Sequence, residues 1–219
     1  LLAGLEHGEE VVALLPRSGA GESLLFVTAR GLVKRTLSSE YGARKGRVAA
    51  IGLKEGDALR RVLPFNAEEN LMLLTERAMA IRIDGTEIPV NGRAAAGVRG
   101  MALEPGDKVC FADFVPDAGE LVMMSERGYA KRCLLVDFEV QRRAGKGVKA
   151  FSFNKNGANG SGVVFASVVT EPYTLHVQQA DRTVTDLGTE EILIESKAGR
   201  GKPYLVALMD NVVTKCWRD

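Results

Sequence analysis

Apolar and polar positions recur along the chain in one pattern. An apolar run leads into a short polar or glycine-containing turn, and in the return arm apolar residues tend to alternate with basic or polar ones. The pattern occupies residues 24–35, 71–82, 121–132 and, more weakly, 173–184. Such a pattern is typical of β-hairpins. We therefore expect hairpins at about 24–36, 71–83, 121–133 and 173–186.

A second element follows the hairpins at the same spacing. Residues 53–57 read Leu-Lys-Glu-Gly-Asp and residues 103–107 read Leu-Glu-Pro-Gly-Asp, 50 positions later, with an echo at residues 5–9. A period near 50 built of strands and turns, without helical periodicity, is typical of propeller blades. The sequence predicts an all-β, propeller-like array of about four visible four-stranded blades, although an irregular β-sandwich remains an alternative. The approximate repeats are 1–59, 60–108, 109–164 and 165–219 of a single domain.

Each repeat also carries a glycine-rich, basic loop between the hairpin and the next strand. We number these basic loops 1 to 4: residues 42–47, 91–99, 141–149 and 197–202. Because they recur at one place in the repeat, we expect them on one side of the assembly. Glycines let backbone N–H groups approach an anion and the cations neutralise it, so the loops suit phosphates.

Composition and charge distribution exclude several classes of function. The formal net charge is only +1, yet residues 140–155 contain five cations and no acidic residue, so positive charge is concentrated locally. The three cysteines have no partner at metal-ligand spacing, and we interpret them as reduced, mostly buried thiols. Residues 19–23 lack the ending of a nucleotide-binding loop, and His7 and His176 are isolated from any nucleophile. No catalytic or metal site is therefore indicated, and no apolar run or leader suggests a membrane or secreted protein.

Basic loop 3 begins Gln-Arg-Arg-Ala-Gly-Lys-Gly, residues 141–147. This resembles the box of the DNA gyrase A subunit, whose family pattern is Gln-Arg-Arg-Gly-Gly-Lys-Gly, and only Ala144 departs from it. The preceding Glu-Arg-Gly-Tyr-Ala-Lys-Arg at 126–132 and the first two repeats are also similar to that family. The resemblance covers the chain to about residue 150. The chain is thus identified as resembling the C-terminal domain of a type IIA topoisomerase A subunit, of either DNA gyrase or topoisomerase IV.

The resemblance implies a β-pinwheel fold and a role in bending and wrapping duplex DNA without sequence preference. It implies a fragment of a longer A subunit, which works with its own remaining domains and with an ATPase B subunit in the bacterial cytoplasm, at the nucleoid. The whole enzyme would be an ATP-dependent type II DNA topoisomerase, with ATP and magnesium bound elsewhere and no cofactor in this chain. In gyrase the wrapping would bias strand passage toward negative supercoiling. The alternatives are a propeller that serves as a protein-interaction scaffold and, less favoured, an enzymatic propeller.

The predicted DNA contacts lie in the four basic loops. They are Arg44, Lys45, Arg47, Arg93, Arg99, Gln141, Arg142, Arg143, Gly145, Lys146, Gly147, Lys149, Arg200 and Lys202. Of these, Gly145 and Gly147 are expected to act as backbone hinges.

Other prominent residues are expected to have structural roles. The arginines outside the loops are interpreted as a solvated surface: Arg30, Arg60, Arg61, Arg77 and Arg182. The aromatic residues are interpreted as blade packing: Tyr41, Tyr129, Phe138 and Phe151. Residues 154–162, which replace the Leu-x-x-Gly-Asp element, are expected to form a mobile loop.

Overall fold

The computed structural model describes residues 5–15, 22–42 and 47–218, which form β-strands joined by turns and irregular segments, with short 3-10 turns as the only helical elements in these ranges. In chain order the strands are β1 (Ser23–Thr28), β2 (Leu32–Leu37), β3 (Leu59–Pro64), β4 (Asn70–Thr75), β5 (Met79–Asp84), β6 (Val98–Arg99), β7 (Val109–Val115), β8 (Glu120–Ser125), β9 (Tyr129–Leu134), β10 (Val140–Gln141), β11 (Val148–Lys149), β12 (Val163–Val169), β13 (Thr174–Gln179), β14 (Val184–Gly188), β15 (Lys202–Pro203) and β16 (Val213–Arg218). Short 3-10 turns lie at Ser38–Tyr41, Gly85–Glu87, Leu135–Asp137 and Thr189–Glu191.

The four expected hairpins are present as β1–β2, β4–β5, β8–β9 and β13–β14. Each turn needs one residue in the left-handed region, and the chain places there Gly31 (φ 75°), Ala78 (φ 63°), Gly128 (φ 74°) and Arg182 (φ 71°). Glycine adopts this conformation without steric cost, which explains its recurrence at the turn position.

Each hairpin belongs to a separate sheet, and the pairing is antiparallel except between β10 and β5 in the second sheet. A third strand returns to pair with the first strand of its own hairpin: β3 with β1, β7 with β4, β12 with β8 and β16 with β13. We call these four the inner strands, because β7 lies against both β3 and β12, and β12 lies against β16. The second hairpin strands, β2, β5, β9 and β14, lie on the opposite side of each sheet and are called the outer strands. The expectation of an all-β array of four blades is confirmed, although within the described residues the second sheet has five strands and the fourth has three.

The sheets do not divide at the approximate repeat limits. Strand β3 begins at Leu59 and pairs within the first sheet, whereas a limit at 59/60 assigns most of it to the second repeat. Likewise β7, at residues 109–115, completes the second sheet. The Gly-Asp turns at residues 56–57 and 106–107 lead into β3 and β7. Each of these inner strands completes the sheet of the preceding hairpin, and the next hairpin begins only after it. The assignment of the whole chain to one DNA-binding domain stays a prediction.

The core consists of apolar layers between successive sheets. In β4, Leu71 and Leu73 pack toward the first sheet, and Met72 and Leu74 pack toward the third. A third layer joins the third and fourth sheets. Since successive side chains of a strand point to opposite faces, a strand buried on both faces is apolar throughout. This explains the uninterrupted apolar runs of the hairpins. Phe138 and Phe151 are buried in these layers, in agreement with their expected packing role.

Residues 154–162 form a tied turn, contrary to the expectation of a mobile loop. The side chain of Asn159 is fully buried. Its Oδ1 accepts from Asn154 N at 2.6 Å, and its Nδ2 donates to Ser152 O and Arg200 O, both at 2.9 Å. An asparagine with donor and acceptor groups satisfied by three backbone partners fixes a loop that glycine composition alone suggests to be flexible.

Three remaining chemical features have simple accounts. The cysteines form no disulfide, and burial raises the pKa of the Cys110 and Cys216 thiols to about 12, so they stay protonated. In the described part of the chain, no group of three or more potential metal ligands is found. No helix there is long and apolar enough to cross a membrane.

Candidate nucleic-acid interface

Basic loops 2, 3 and 4 each lie on the outer strand of the preceding sheet. Loop 2 contributes β6, which pairs with β2, and loop 4 contributes β15, which pairs with β9. Loop 3 begins in β10 and ends in β11, and both pair with β5. The three loops therefore occupy equivalent places on the outer edges of three successive sheets. Loop 1 overlaps the undescribed residues 43–46, so the predicted contacts Arg44 and Lys45 lie outside the described residues.

A glycine in the left-handed region brings each loop against its outer strand. A Cβ at Gly97 (φ 89°) would lie 2.4 Å from Val33 O, and one at Gly147 (φ 74°) would lie 2.2 Å from Ala80 O. Gly201 (φ 71°) repeats this contact on the third sheet. These distances leave no room for a side chain. The structure thus gives Gly147 a packing role, and Gly145 likewise faces Ile81 rather than open solvent.

An acidic side chain of the preceding sheet holds the third residue of two of these loops. Glu40 accepts a hydrogen bond from Arg93 N at 2.9 Å, and Glu87 accepts one from Arg143 N at 3.1 Å. Both carboxylates lie in the 3-10 turn after an outer strand. Because each bond uses the loop backbone, it fixes the loop position independently of the arginine side chains.

Two buried lysines provide a further anchor that sequence reasoning missed. Lys34 Nζ donates to Arg93 O at 2.6 Å, and Lys131 Nζ donates to Ser196 O at 2.7 Å and Lys197 O at 2.9 Å. Both side chains are fully buried, and burial lowers the pKa of each. The alternating pattern of the return arms predicts that these two lysines are exposed. They are buried because basic loops from a later part of the chain pack over them, which the local sequence does not show.

Within loop 3 the register separates anchoring residues from exposed cations. Gln141 pairs in β10, and the half-buried Arg143 donates from Nη1 to Arg99 O at 3.2 Å. Arg142, Lys146 and Lys149 are exposed. Three of the expected DNA contacts in this loop therefore present their charge to solvent, whereas Arg143 is partly engaged in holding the loop.

The neighbouring loops present cations in the same way. Arg99 lies two positions after Gly97 in loop 2, just as Lys149 lies two positions after Gly147 in loop 3. The Arg99 side chain is exposed. Arg200 and Lys202 are exposed in loop 4, and Arg93 is half-buried. The structure thus brings exposed cations of loops 2, 3 and 4 to the outer edges of the first three sheets. Six of them form what we call the basic track: Arg99, Arg142, Lys146, Lys149, Arg200 and Lys202.

Two of the predicted DNA-contact residues, Lys146 and Arg47, form ion pairs with carboxylates of the protein. Lys146 Nζ lies 3.1 Å from Glu104 Oε1, and Arg47 Nη1 lies 2.8 Å from Glu9 Oε1 and 3.4 Å from Glu6 Oε1. All these groups are substantially exposed, so the pairs are weak and a phosphate can compete for the cations. Arg47 also stands 50 positions before Gly97, where loops 2, 3 and 4 have a glycine.

The arginines expected to be solvated lie elsewhere. Arg60 and Arg61 are on the inner strand β3, where they face Glu76 at 3.9 Å and Asp113 at 3.3 Å. The other three are exposed at hairpin turns: Arg30, Arg77 and Arg182. Arg60 and Arg61 are separated from the outer edges by the width of a sheet, which makes them controls for the basic track. The hairpin-turn arginines instead lie near it, because Arg30 and Arg77 come just before the starts of β2 and β5, where Arg99 and Lys149 pair.

Ala144 occupies a strained backbone position in loop 3. Its φ is +67°, a conformation that favours glycine, and its N–H donates to Gly100 O at 2.7 Å. We expect Ala144→Gly to stabilise the fold by about 1 kcal/mol, because glycine removes the steric cost of the left-handed region. Urea unfolding measures the change. Ala94→Gly, 50 positions earlier and not in the left-handed region, should instead destabilise by about 0.5–1 kcal/mol through unfolded-state entropy. Equal effects at both positions would contradict the strain at Ala144.

Comparison with known proteins gives a consistent result. A family model described as DNA gyrase C-terminal domain, beta-propeller, matches residues 22–66, 69–115 and 119–165. Each matched stretch contains one hairpin and all or part of its inner strand. The DNA gyrase A subunit of Chlamydia muridarum is 31% identical over 207 residues, which cover 91% of this chain and 24% of that protein. The chain therefore spans about a quarter of the length of this relative.

Solved structures show the same architecture. The C-terminal domain of DNA topoisomerase IV superposes with a TM-score of 0.83 at 27% identity, over 90% of this chain and 61% of that one. A DNA gyrase A C-terminal domain superposes with a TM-score of 0.78 over 90% of this chain and 65% of that one. The latter is 22% identical, so its likeness shows the fold alone.

Proposed function

Because this chain belongs to the family of DNA gyrase C-terminal β-propeller domains, we propose that it binds duplex DNA without sequence preference and bends it along the basic track. The observation that carries the proposal is the repetition of exposed cations on three successive outer edges. A DNA backbone that follows these edges meets a cation at each sheet, and each cation neutralises a phosphate and releases a counterion. Continuous contact at regular intervals is what bending a stiff duplex requires.

The basic track offers phosphate contacts rather than base readout. Its side chains are Arg and Lys at the ends of short strands, and the aromatic residues Phe138 and Phe151 are buried and cannot stack on bases. Phosphate contacts position a duplex but carry no sequence information. The binding should therefore depend on charge and on DNA flexibility, in the way that wrapping proteins use both.

At the level of the whole enzyme, we propose that the domain presents DNA to the strand-passage core of a type IIA topoisomerase. Its partners would be the other domains of the A subunit, together with an ATPase B subunit, in the bacterial cytoplasm at the nucleoid. ATP and magnesium would act in those other parts. In a gyrase, wrapping would bias strand passage toward negative supercoiling; in a topoisomerase IV, it would select the geometry of the transported segment.

Salt-dependent binding tests the proposal. We expect the chain to bind duplexes of unrelated sequence with similar affinity. If the six cations of the basic track each neutralise one phosphate, the logarithm of the binding constant should fall with the logarithm of salt concentration with a slope of about −5. Fluorescence anisotropy across a salt series measures both quantities. Absence of binding at low salt would overturn the proposal and favour a protein-interaction scaffold, and a strong sequence preference would overturn the phosphate mechanism.

A further inference from the structure

The first three hairpin turns carry an arginine at one position, just before the residue in the left-handed region: Arg30, Arg77 and Arg127. None of these arginines belongs to a basic loop. In the first sheet the outer strand begins two positions later at Leu32, which pairs with Arg99 of loop 2. In the second sheet it begins two positions later at Met79, which pairs with Lys149 of loop 3. A turn arginine and a loop cation are therefore brought together at the same place on the first two outer edges.

The Leu-x-x-Gly-Asp elements fix the turn arginines. Arg30 N donates to Asp57 Oδ1 at 3.0 Å, and Arg77 N donates to Asp107 Oδ1 at 3.1 Å. The glycine before each aspartate leaves room for the arginine side chain. A Cβ at Gly56 would lie 2.8 Å from Arg30 Nη2, and Arg77 Nη2 makes the corresponding approach to the next such glycine at 3.4 Å. The Gly-Asp turn thus determines where the guanidinium group lies.

The charges of these two pairs are available to a ligand. All four side chains are exposed, and none of them forms an ion pair in the part of the chain that the structure describes. Arg30, Arg99 and Lys108 line one cleft of about 480 Å³. The two carboxylates in its wall are already engaged, because Asp107 holds the neighbouring turn and Glu104 pairs with a lysine of loop 3. The cleft therefore has room for a phosphate group and cations to neutralise it.

The third sheet has the same turn arginine but uses it internally. Arg127 is half-buried, and its Nη1 donates to Ala207 O at 3.3 Å and to Met209 O at 2.5 Å. On its outer strand, Tyr129 pairs with Pro203, where the first two sheets have a loop cation. Both members of the pair are thus altered together, which indicates that they act together where both are present.

We propose that Arg30 and Arg99 bind one phosphate of the duplex between them, and that Arg77 and Lys149 bind a second phosphate in the same way. The inference rests on the proposed function and deepens it, since it adds two residues outside the basic loops to the DNA interface. A guanidinium group binds phosphate oxygens through two parallel N–H bonds, and a second cation on the other side neutralises the remaining charge. The two sites place the DNA path at the hairpin-turn end of the first two outer edges.

A double-mutant cycle tests whether the two cations share a phosphate. We compare Arg30→Gln, Arg99→Gln and the double variant with the parent chain on one duplex at one salt concentration, by fluorescence anisotropy. Each single change should weaken binding by about three- to tenfold. The double variant should lose at least about twofold less than the product of the single losses, because either change already releases the shared phosphate. The cycle of Arg77→Gln and Lys149→Gln is an independent test of the second site.

Two controls separate sharing from net charge. Arg30→Gln combined with Lys149→Gln removes cations of different sites, so the losses should multiply. Arg61→Gln removes one charge from the inner strand β3 and should change affinity little. Urea unfolding of each variant checks that the fold is kept, which we expect because the turn is held through Arg30 N and not through the side chain.

The outcomes distinguish this inference from the proposed function. If the parent binds DNA but Arg30→Gln and Arg77→Gln bind no more weakly than Arg61→Gln, the two sites are overturned and the proposed function stands. Losses that multiply within each pair would show separate phosphates and would also overturn them. Titration with inorganic phosphate is a further test: if the parent binds it, Arg30→Gln does not, and DNA affinity is unchanged, the cleft takes a free anion instead. Absence of DNA binding by the parent would overturn both.

Discussion

Gly147→Ala is expected to destabilise the fold by about 2–4 kcal/mol, the largest effect of a single added methyl group among the glycines that the structure describes. The new Cβ would lie 2.2 Å from Ala80 O and 2.8 Å from Ala80 C, in a backbone conformation with φ +74°. The clash is with the backbone of β5, which side-chain rearrangement cannot relieve, so loop 3 must lift from the outer strand. The cost includes both the left-handed strain and the loss of the β11–β5 pairing. Urea unfolding measures it.

Alanine substitutions at two other glycines separate the contribution of backbone strain from that of the steric clash. Gly157 has φ +71° and open space around its Cβ position, so Gly157→Ala should cost only about 1 kcal/mol, from backbone strain alone. Gly92, in loop 2, has neither a positive φ nor a neighbour within 4 Å, and Gly92→Ala should be neutral or stabilising by up to about 1 kcal/mol. A Gly147→Ala variant no less stable than Gly157→Ala would show that loop 3 is not held against β5 as described.

The hairpins were predictable from sequence because each one depends on local pattern. An apolar run such as Leu71 to Leu74, a turn and an alternating arm lie next to each other in the chain, and the 50-residue spacing repeats them. The partners of β6 and β15 were not predictable. Each is only two residues long, so its pairing is decided by which outer strand the folded array brings near, and not by its own composition.

The candidate site was predicted at the level of loops but not of side chains. Arg142 and Arg143 are adjacent and chemically identical, yet one is exposed and the other helps to hold the loop, because β10 fixes the register. Similarly, Lys34 and Lys131 resemble surface cations in an alternating arm. A signal for the anchoring residues does exist in the sequence: Gly97 and Gly147 recur at a spacing of 50, which indicates a position where a side chain is excluded.

Removing the exposed charges of loop 3 should abolish wrapping while leaving the fold intact. The triple variant Arg142→Gln, Lys146→Gln, Lys149→Gln changes only exposed side chains and leaves the Arg143 N–Glu87 bond in place. Because three cations no longer neutralise phosphates, we expect duplex affinity to fall by about 10- to 100-fold and the salt slope to decrease by about 3. Unrelated sequences should lose affinity equally, because phosphate contacts carry no sequence information.

If the chain is part of a type IIA topoisomerase as proposed, the consequence for the enzyme is tested in the full-length A subunit, reconstituted with the proposed ATPase B subunit. The control variant Arg60→Gln, Arg61→Gln, Lys215→Gln loses the same charge on the inner strands β3 and β16, on the opposite side of the sheets from the outer edges. If cations must be placed along the path to offset the bending cost, which is on the order of several kcal/mol, the loop 3 variant should lose wrapping and the control should keep it.

Negative supercoiling should fail with wrapping if the enzyme is a gyrase, while DNA cleavage and relaxation persist. Equal loss in both variants would show that net charge rather than its position governs wrapping, and loss of relaxation together with wrapping would show that these cations act on the cleavage core itself.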